Sequence, residues 1–68
     1  MNVKYFAETD TAFFKFSEAE VIETREISEN VYADIDSNGN LVSMTIEHAR
    51  ENGVLPGFSY EEISSRSA

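Results

Sequence analysis

The sequence predicts a small α+β domain: a four- to five-stranded antiparallel β-meander with one or two short C-terminal helices. Three observations carry that reading. Through the first 48 residues apolar and polar side chains alternate with period 2, the signature of strands. An Asn38-Gly39 pair stands between two strictly alternating runs, a strong short-range hairpin signal. After Ile46 the alternation stops, and Ser59 precedes Glu62 by three residues, as in a helix-capping box.

Taken in order, Val3-Lys4-Tyr5-Phe6 is a short strand, closed by the turn-forming side chains of Glu8-Thr9-Asp10-Thr11. Ala12-Phe13-Phe14-Lys15-Phe16 is the second, with Ala12, Phe14 and Phe16 on one side and Phe13 and Lys15 on the other. Residues 21–27 form a third with no clean apolar face: Val21, Glu23, Arg25 and Ile27 share one side, Ile22, Thr24 and Glu26 the other. It is either an edge strand wet on both faces or one whose Glu23–Arg25 pair sits at the core margin. Residues 31–36 and 41–46 flank the Asn-Gly turn. Pairing Asp36 with Leu41 sets Ile35 against Val42, Ala33 against Met44 and Val31 against Ile46, all six apolar and on one face.

The chain then changes character. Glu47-His48-Ala49-Arg50-Glu51-Asn52 suits a helical turn stopped by Gly53, and Leu55-Pro56-Gly57 a loop. Ser59 caps a short second helix, with a Phe58–Ile63 staple allowed. Residues 1–49 are therefore assigned to the sheet domain, and 50–68 to a helical extension or tail of the same domain.

At 68 residues and a net charge of −8, one small domain is the limit. With no cysteine there are no disulfides and no thiolate metal site. A pI near 4.3 and five scattered basic residues argue against direct contact with nucleic acid or anionic lipid. No apolar run reaches membrane-spanning length and no leader is evident, so a cytoplasmic protein is expected. The charge is uneven. Residues 1–17 are neutral, residues 18–36 set seven acids against Arg25 alone, and residues 37–68 carry −2.

No catalytic constellation stands out, so no enzymatic activity and no cofactor are expected. Asp34-x-Asp36-x-Asn38-Gly39 has the opening of a calcium loop, but Thr45 occupies the twelfth position, where the bidentate Glu is required. Asp34 and Asp36 are about 7 Å apart along one strand, a spacing compatible with acid–base pairs, yet on a sheet with no cleft to perturb them. His48 is the single histidine and stands beside Glu47. The three glycines do not form a phosphate-binding loop.

Three segments, in order over residues 3–49, resemble the bacterial domain-of-unknown-function family 2283. Tyr5-Phe6 and Asp10-Thr11-Ala12-Phe13-Phe14-Lys15-Phe16 match its Tyr-Asp…Asp-Ala-Leu-Tyr-Ile opening. Glu23-Thr24-Arg25-Glu26-Ile27 is similar to its Glu-Thr-Arg-Glu-Val segment. Asp34-Ile35-Asp36-Ser37-Asn38-Gly39-Asn40-Leu41-Val42 and Ile46-Glu47-His48-Ala49 follow its Asp-Tyr-Asp…Asp-Gly…Leu-Val-Gly-Ile-Glu hairpin. Phe6 replaces an acidic residue, Ser43-Met44-Thr45 stands where small and apolar residues are favoured, and the tail after Arg50 lies outside the match. The resemblance implies a small antiparallel sheet with a helix and no established activity.

The expected function is a small acidic protein-interaction module, an antitoxin-like or regulatory partner of a basic protein. Resemblance and placement together nominate Glu23, Thr24, Arg25, Glu26, Tyr32, Asp34 and Asp36 as partner-binding residues. A core this small also leads us to expect a homodimer. The alternatives are a phage-type inhibitor whose carboxylates mimic nucleic acid phosphates, and a weak metal-binding protein or metal-assisted hydrolase using Asp34 and Asp36.

Overall fold

A computed structural model describes residues 1–54 and 61–64. Five strands form one sheet: β1 (Asn2–Phe6), β2 (Thr11–Lys15), β3 (Glu23–Ser28), β4 (Val31–Ile35) and β5 (Leu41–Glu47). They lie in the order β1-β2-β5-β4-β3, with every neighbouring pair antiparallel. The expected strands are all present, but they do not form a simple meander. A hairpin, β1–β2, joins a three-strand meander, β3–β4–β5, through the pairing of β2 with β5. The four strands β2 to β5 thus make a Greek key read from the C-terminal end. Residues 16–22 carry the chain across one end of the sheet, past β5 and β4. Val42 fastens their start, its carbonyl accepting from the Phe16 and Ser17 N–H groups at 2.8 and 3.2 Å. Ile35 fastens their end, its carbonyl accepting from Ile22 N–H at 2.9 Å.

The Asn-Gly hairpin forms where expected, with one residue fewer in its loop. Asp36 N–H donates to Asn40 C=O at 2.9 Å, and Gly39 N–H returns to Asp36 C=O at 3.1 Å. Ser37, Asn38 and Gly39 therefore make a three-residue loop whose last position needs positive φ, and Gly39 supplies it at +83°. The shorter loop pairs Ile35 with Leu41 instead of Val42. A register shift at Val42, a β-bulge, then restores Asp34–Ser43, Ala33–Met44 and Val31–Ile46, the last two as the apolar pattern requires.

The fold class changes from α+β to all-β: the described residues contain five strands and no helix. Residues 48–53 are hydrogen-bonded turns. Val54 N–H reaches Ala49 C=O at 2.8 Å and Gly53 N–H reaches Arg50 C=O at 3.1 Å, with Gly53 at φ +81°. This is the Schellman ending that Gly53 was expected to provide. At the other end His48 also has positive φ, +56°. Two left-handed residues bracket four, which leaves a single turn and no room for a helix. In the predicted second helix, Glu61 to Ser64 carry no regular structure. Its Ser59 cap, Tyr60 and the Phe58 staple lie outside the described residues.

Register assigns side chains to faces. One face carries the rows Tyr5–Ala12–Ile46–Val31 and Val3–Phe14–Met44–Ala33–Arg25. The other carries Lys4–Phe13–Thr45–Tyr32–Glu26 and Asn2–Lys15–Ser43–Asp34–Thr24. The core lies on the first face, where Ala12, Phe14 and Ala49 are buried against Tyr5, Met44, Ile46 and Val54. The 48–54 turn covers only that corner. Ala33 and Val42 are buried as well, but no large side chain among the described residues is fully buried. No helix among the described residues is long and apolar enough to cross a membrane.

Candidate functional site

The seven nominated residues do not form one surface. Strand β3 is an outer strand with all six residues exposed, which settles its awkward pattern in favour of the edge strand. Its side chains divide between the two faces. Glu23 and Arg25 point to the apolar side, where they pair with each other: Arg25 Nε and Nη2 donate to the Glu23 carboxylate at 2.7 and 3.3 Å. That contact holds the Glu23 carboxyl below its ordinary range. The pair sits on an exposed edge, not at a core margin. Charged side chains on an edge strand also oppose sheet-to-sheet aggregation.

Thr24, Glu26, Tyr32 and Asp34 share the polar face. Asp34 sits between two hydroxyls on neighbouring strands. Thr24 Oγ1 donates to one carboxylate oxygen and Ser43 Oγ to the other, each at 2.6 Å. Ser43 is buried although it lies on this polar face. Asp36 lies past the end of β4 and serves its own turn: its Oδ1 accepts from the Asn38 and Asn40 N–H groups, both at 2.9 Å. The Asn40 N–H, first among several bonds, draws its pKa below the ordinary carboxylate value. Both aspartates are thus tied into local hydrogen bonding. Among the described residues no group of three or more His, Cys, Asp or Glu could hold a metal ion.

The residue that spacing left out is Glu47. Its N–H donates to Asn30 C=O at 2.8 Å, which draws the end of β5 against the β3–β4 turn. Glu47 is one pleat along from Thr45, the partner of Tyr32, and so shares the face of Tyr32. Glu26 lies directly opposite Tyr32 from the other side. The phenol stands between two carboxylates, and its pKa is raised above 10.0, first by Glu47, then by burial, then by Glu26. The expected hairpin register already placed Ile46 inward and hence Glu47 outward, so the signal was present in the sequence. Ion pairs form at Lys15–Glu18, Arg25–Glu23 and His48–Glu51, and neither carboxylate flanking Tyr32 has a cationic partner among the described residues.

A second cluster gathers just past the same end of β5, on the β1–β2 side. Asp10, at φ +55°, accepts from the Tyr5 hydroxyl at 2.7 Å and from the Arg50 and Glu51 N–H groups at 2.8 and 3.3 Å. Its own carbonyl accepts from Ala49 N–H at 2.8 Å. The Arg50 guanidinium lies 5.3 Å from the centre of the Tyr5 ring. His48 Nδ1 is 3.3 Å from Glu51. This arrangement ties the β1–β2 turn to the 48–53 turn. It caps main-chain donors and leaves the histidine exposed to solvent, without a nucleophile beside it.

The polar face is therefore asymmetric. Lys4 and Lys15 mark the β1–β2 side, while Glu26, Asp34 and Glu47 gather with Tyr32 on the β3–β4–β5 side. The described residues enclose no pocket. No curated protein matches the chain. No solved structure matches it either. A family model described as a protein of unknown function matches residues 2–50, which takes in all five strands and the Asp10–Arg50 contact, and the chain belongs to that family, DUF2283.

Proposed function

We propose that this chain is a non-enzymatic interaction module that binds a basic protein partner through the acidic side of its polar face. The carrying observation is the arrangement of Glu26 and Glu47 on either side of Tyr32, with no cation paired to either among the described residues. A flat, wet surface with an aromatic ring inside a negative field suits recognition of Arg or Lys side chains. Thr24 and Asp34 extend the surface along β3 and β4, and Glu29 extends it into the turn. Glu23 and Arg25 lie on the other face and Asp36 is engaged in its turn, so these three are at the periphery of the contact. We place the module in the cytoplasm, where a chain without cysteine folds with no need of an oxidising compartment.

The test is capture of partners from the native cell, followed by titration of each purified partner. Reversing Glu26 and Glu47 to Lys should abolish binding, and affinity for the native chain should fall steeply as salt rises. Reversing Glu8, which lies in the β1–β2 turn, should change little. Affinity that ignores both the double reversal and the salt would eliminate this reading.

A further inference from the structure

The apolar face of the sheet is the second surface that needs an occupant. It runs across all five strands, from Val3 through Phe14, Met44 and Ala33 to Arg25, with Ile46 and Val31 beside it and Ile35 beyond. A sheet with one apolar face buries that face against a second layer. Among the described residues the 48–54 turn packs over one corner of it, where Ala12 and Phe14 are buried with Ala49 against Tyr5, Met44, Ile46 and Val54. Away from that corner Ala33 and Val42 are buried, but the flanks of the face are wet: Val3 and Leu41 are 38% and 40% exposed, and Val31 and Ile35 are half-buried.

Charge selects the occupant. The chain carries −8, so two copies repel through most of their surface. The strand positions of the apolar face are the exception. Their only charges are Glu23 and Arg25, and these neutralise each other at 2.7 Å. Lys4, Lys15, Glu26, Asp34 and Glu47 all occupy the opposite face. A basic partner has no electrostatic reason to choose a balanced apolar surface, whereas a second acidic chain can approach there without a like-charge penalty. We infer that the apolar face is a self-association surface, on which two copies pack sheet against sheet as a two-layer sandwich. The two layers turn both acidic patches outward, to opposite sides of the dimer. This inference does not depend on the proposed basic partner, because it concerns the other face.

Sedimentation equilibrium of the full chain over a wide concentration range tests it. The native chain should reach twice its 7.7 kDa mass. Ile35→Lys should weaken association by roughly tenfold or more, since it sets like charges in the apolar seam. Thr45→Lys, on the polar face, should leave association unchanged. If Ile35→Lys fails to fold, the native protein still decides. In a mixture of isotope-labelled and unlabelled chains, the Met44 methyl group should show contacts between chains. A monomer at every concentration would overturn the inference, and so would Met44 contacts confined to residues 55–60 of its own chain. A dimer that survives Ile35→Lys but is broken by charge placed on the outer edge of β1 would assign association to the strand edge and overturn it equally.

Discussion

At Asp10 one carboxylate gathers three donors from two other segments: the Tyr5 hydroxyl, the Arg50 N–H and the Glu51 N–H all donate to it. Those donors favour the charged form, and the Arg50 N–H has the largest effect in holding the pKa below 3.8. A carboxyl depressed in the folded state adds stability that is present above its unfolded value and is lost as pH falls through the folded one. Asp10 and Asp36 are both of this kind, so acid should begin to weaken the fold below about pH 4. Asp10→Asn keeps a residue tolerant of positive φ but removes the charge. It should lower the melting temperature by a few degrees at neutral pH and flatten the acid limb of stability against pH, as read by thermal denaturation. Tyr32 has the opposite sense. Its folded pKa lies above 10.0, so the unfolded chain ionises first and stability should fall as pH rises beyond that value. Glu47→Gln should bring the phenolate absorbance of Tyr32 back toward the ordinary tyrosine titration.

Each strand was legible because its alternation is local. The β4–β5 pattern is specific enough to fix the apolar pairs Ala33–Met44 and Val31–Ile46 by sequence alone. The turn was harder. Asn38-Gly39 suits more than one hairpin loop, and the choice depends on Asp36 folding its carboxylate over the Asn38 and Asn40 N–H groups. The expected helix at 47–52 failed for a similar reason. Its length depended on His48 adopting positive φ, a conformation unusual for a side-chain-bearing residue. The tie to Asp10 comes from 40 residues away, beyond the reach of any periodicity. Glycine geometry gives the matching prediction. Gly39→Ala meets no steric obstacle, since nothing lies within 4 Å of the added carbon, but it must hold φ +83°. It should cost about 1 kcal/mol in chemical denaturation, with Gly39→Asn costing less.

For the whole molecule the small core sets the scale. A chain of this length has a stability of roughly 3–10 kcal/mol, and the buried apolar residues among those described are alanines with Phe14 and Val42. Phe14→Ala should remove about 3 kcal/mol or more and leave the chain largely unfolded at 37 °C, with loss of its β circular dichroism. The uneven charge acts at the same scale. Screening should relieve repulsion among the acids of residues 18–36, so moderate salt should raise the melting temperature while weakening any basic partner's grip. Topology was the least legible feature at this scale. Alternation reports that strands exist but not which ones are neighbours, and the β2–β5 pairing is made by the 16–22 crossing, whose sequence has no strand or helix period. The division of the nominated residues between two faces was, by contrast, already present in the sequence, because a run of consecutive strand residues necessarily alternates sides.

The bulge at Val42 has a consequence for how the family's chains can vary in length. The three-residue loop and the bulge offset each other: one withholds a residue from the hairpin and the other returns it. A single deletion within residues 37–39 would let the strand straighten and the bulged residue re-form the three-residue loop, with every pair from Asp34–Ser43 onward left in place. Such a deletion should be tolerated by the sheet. Its effect would fall on the crossing segment, which hangs from the Val42 carbonyl through the Phe16 and Ser17 N–H groups. Those two amides should then exchange with solvent faster while the amides of β4 stay protected, making the hairpin a place where a deletion loosens a distant strap without shifting the sheet.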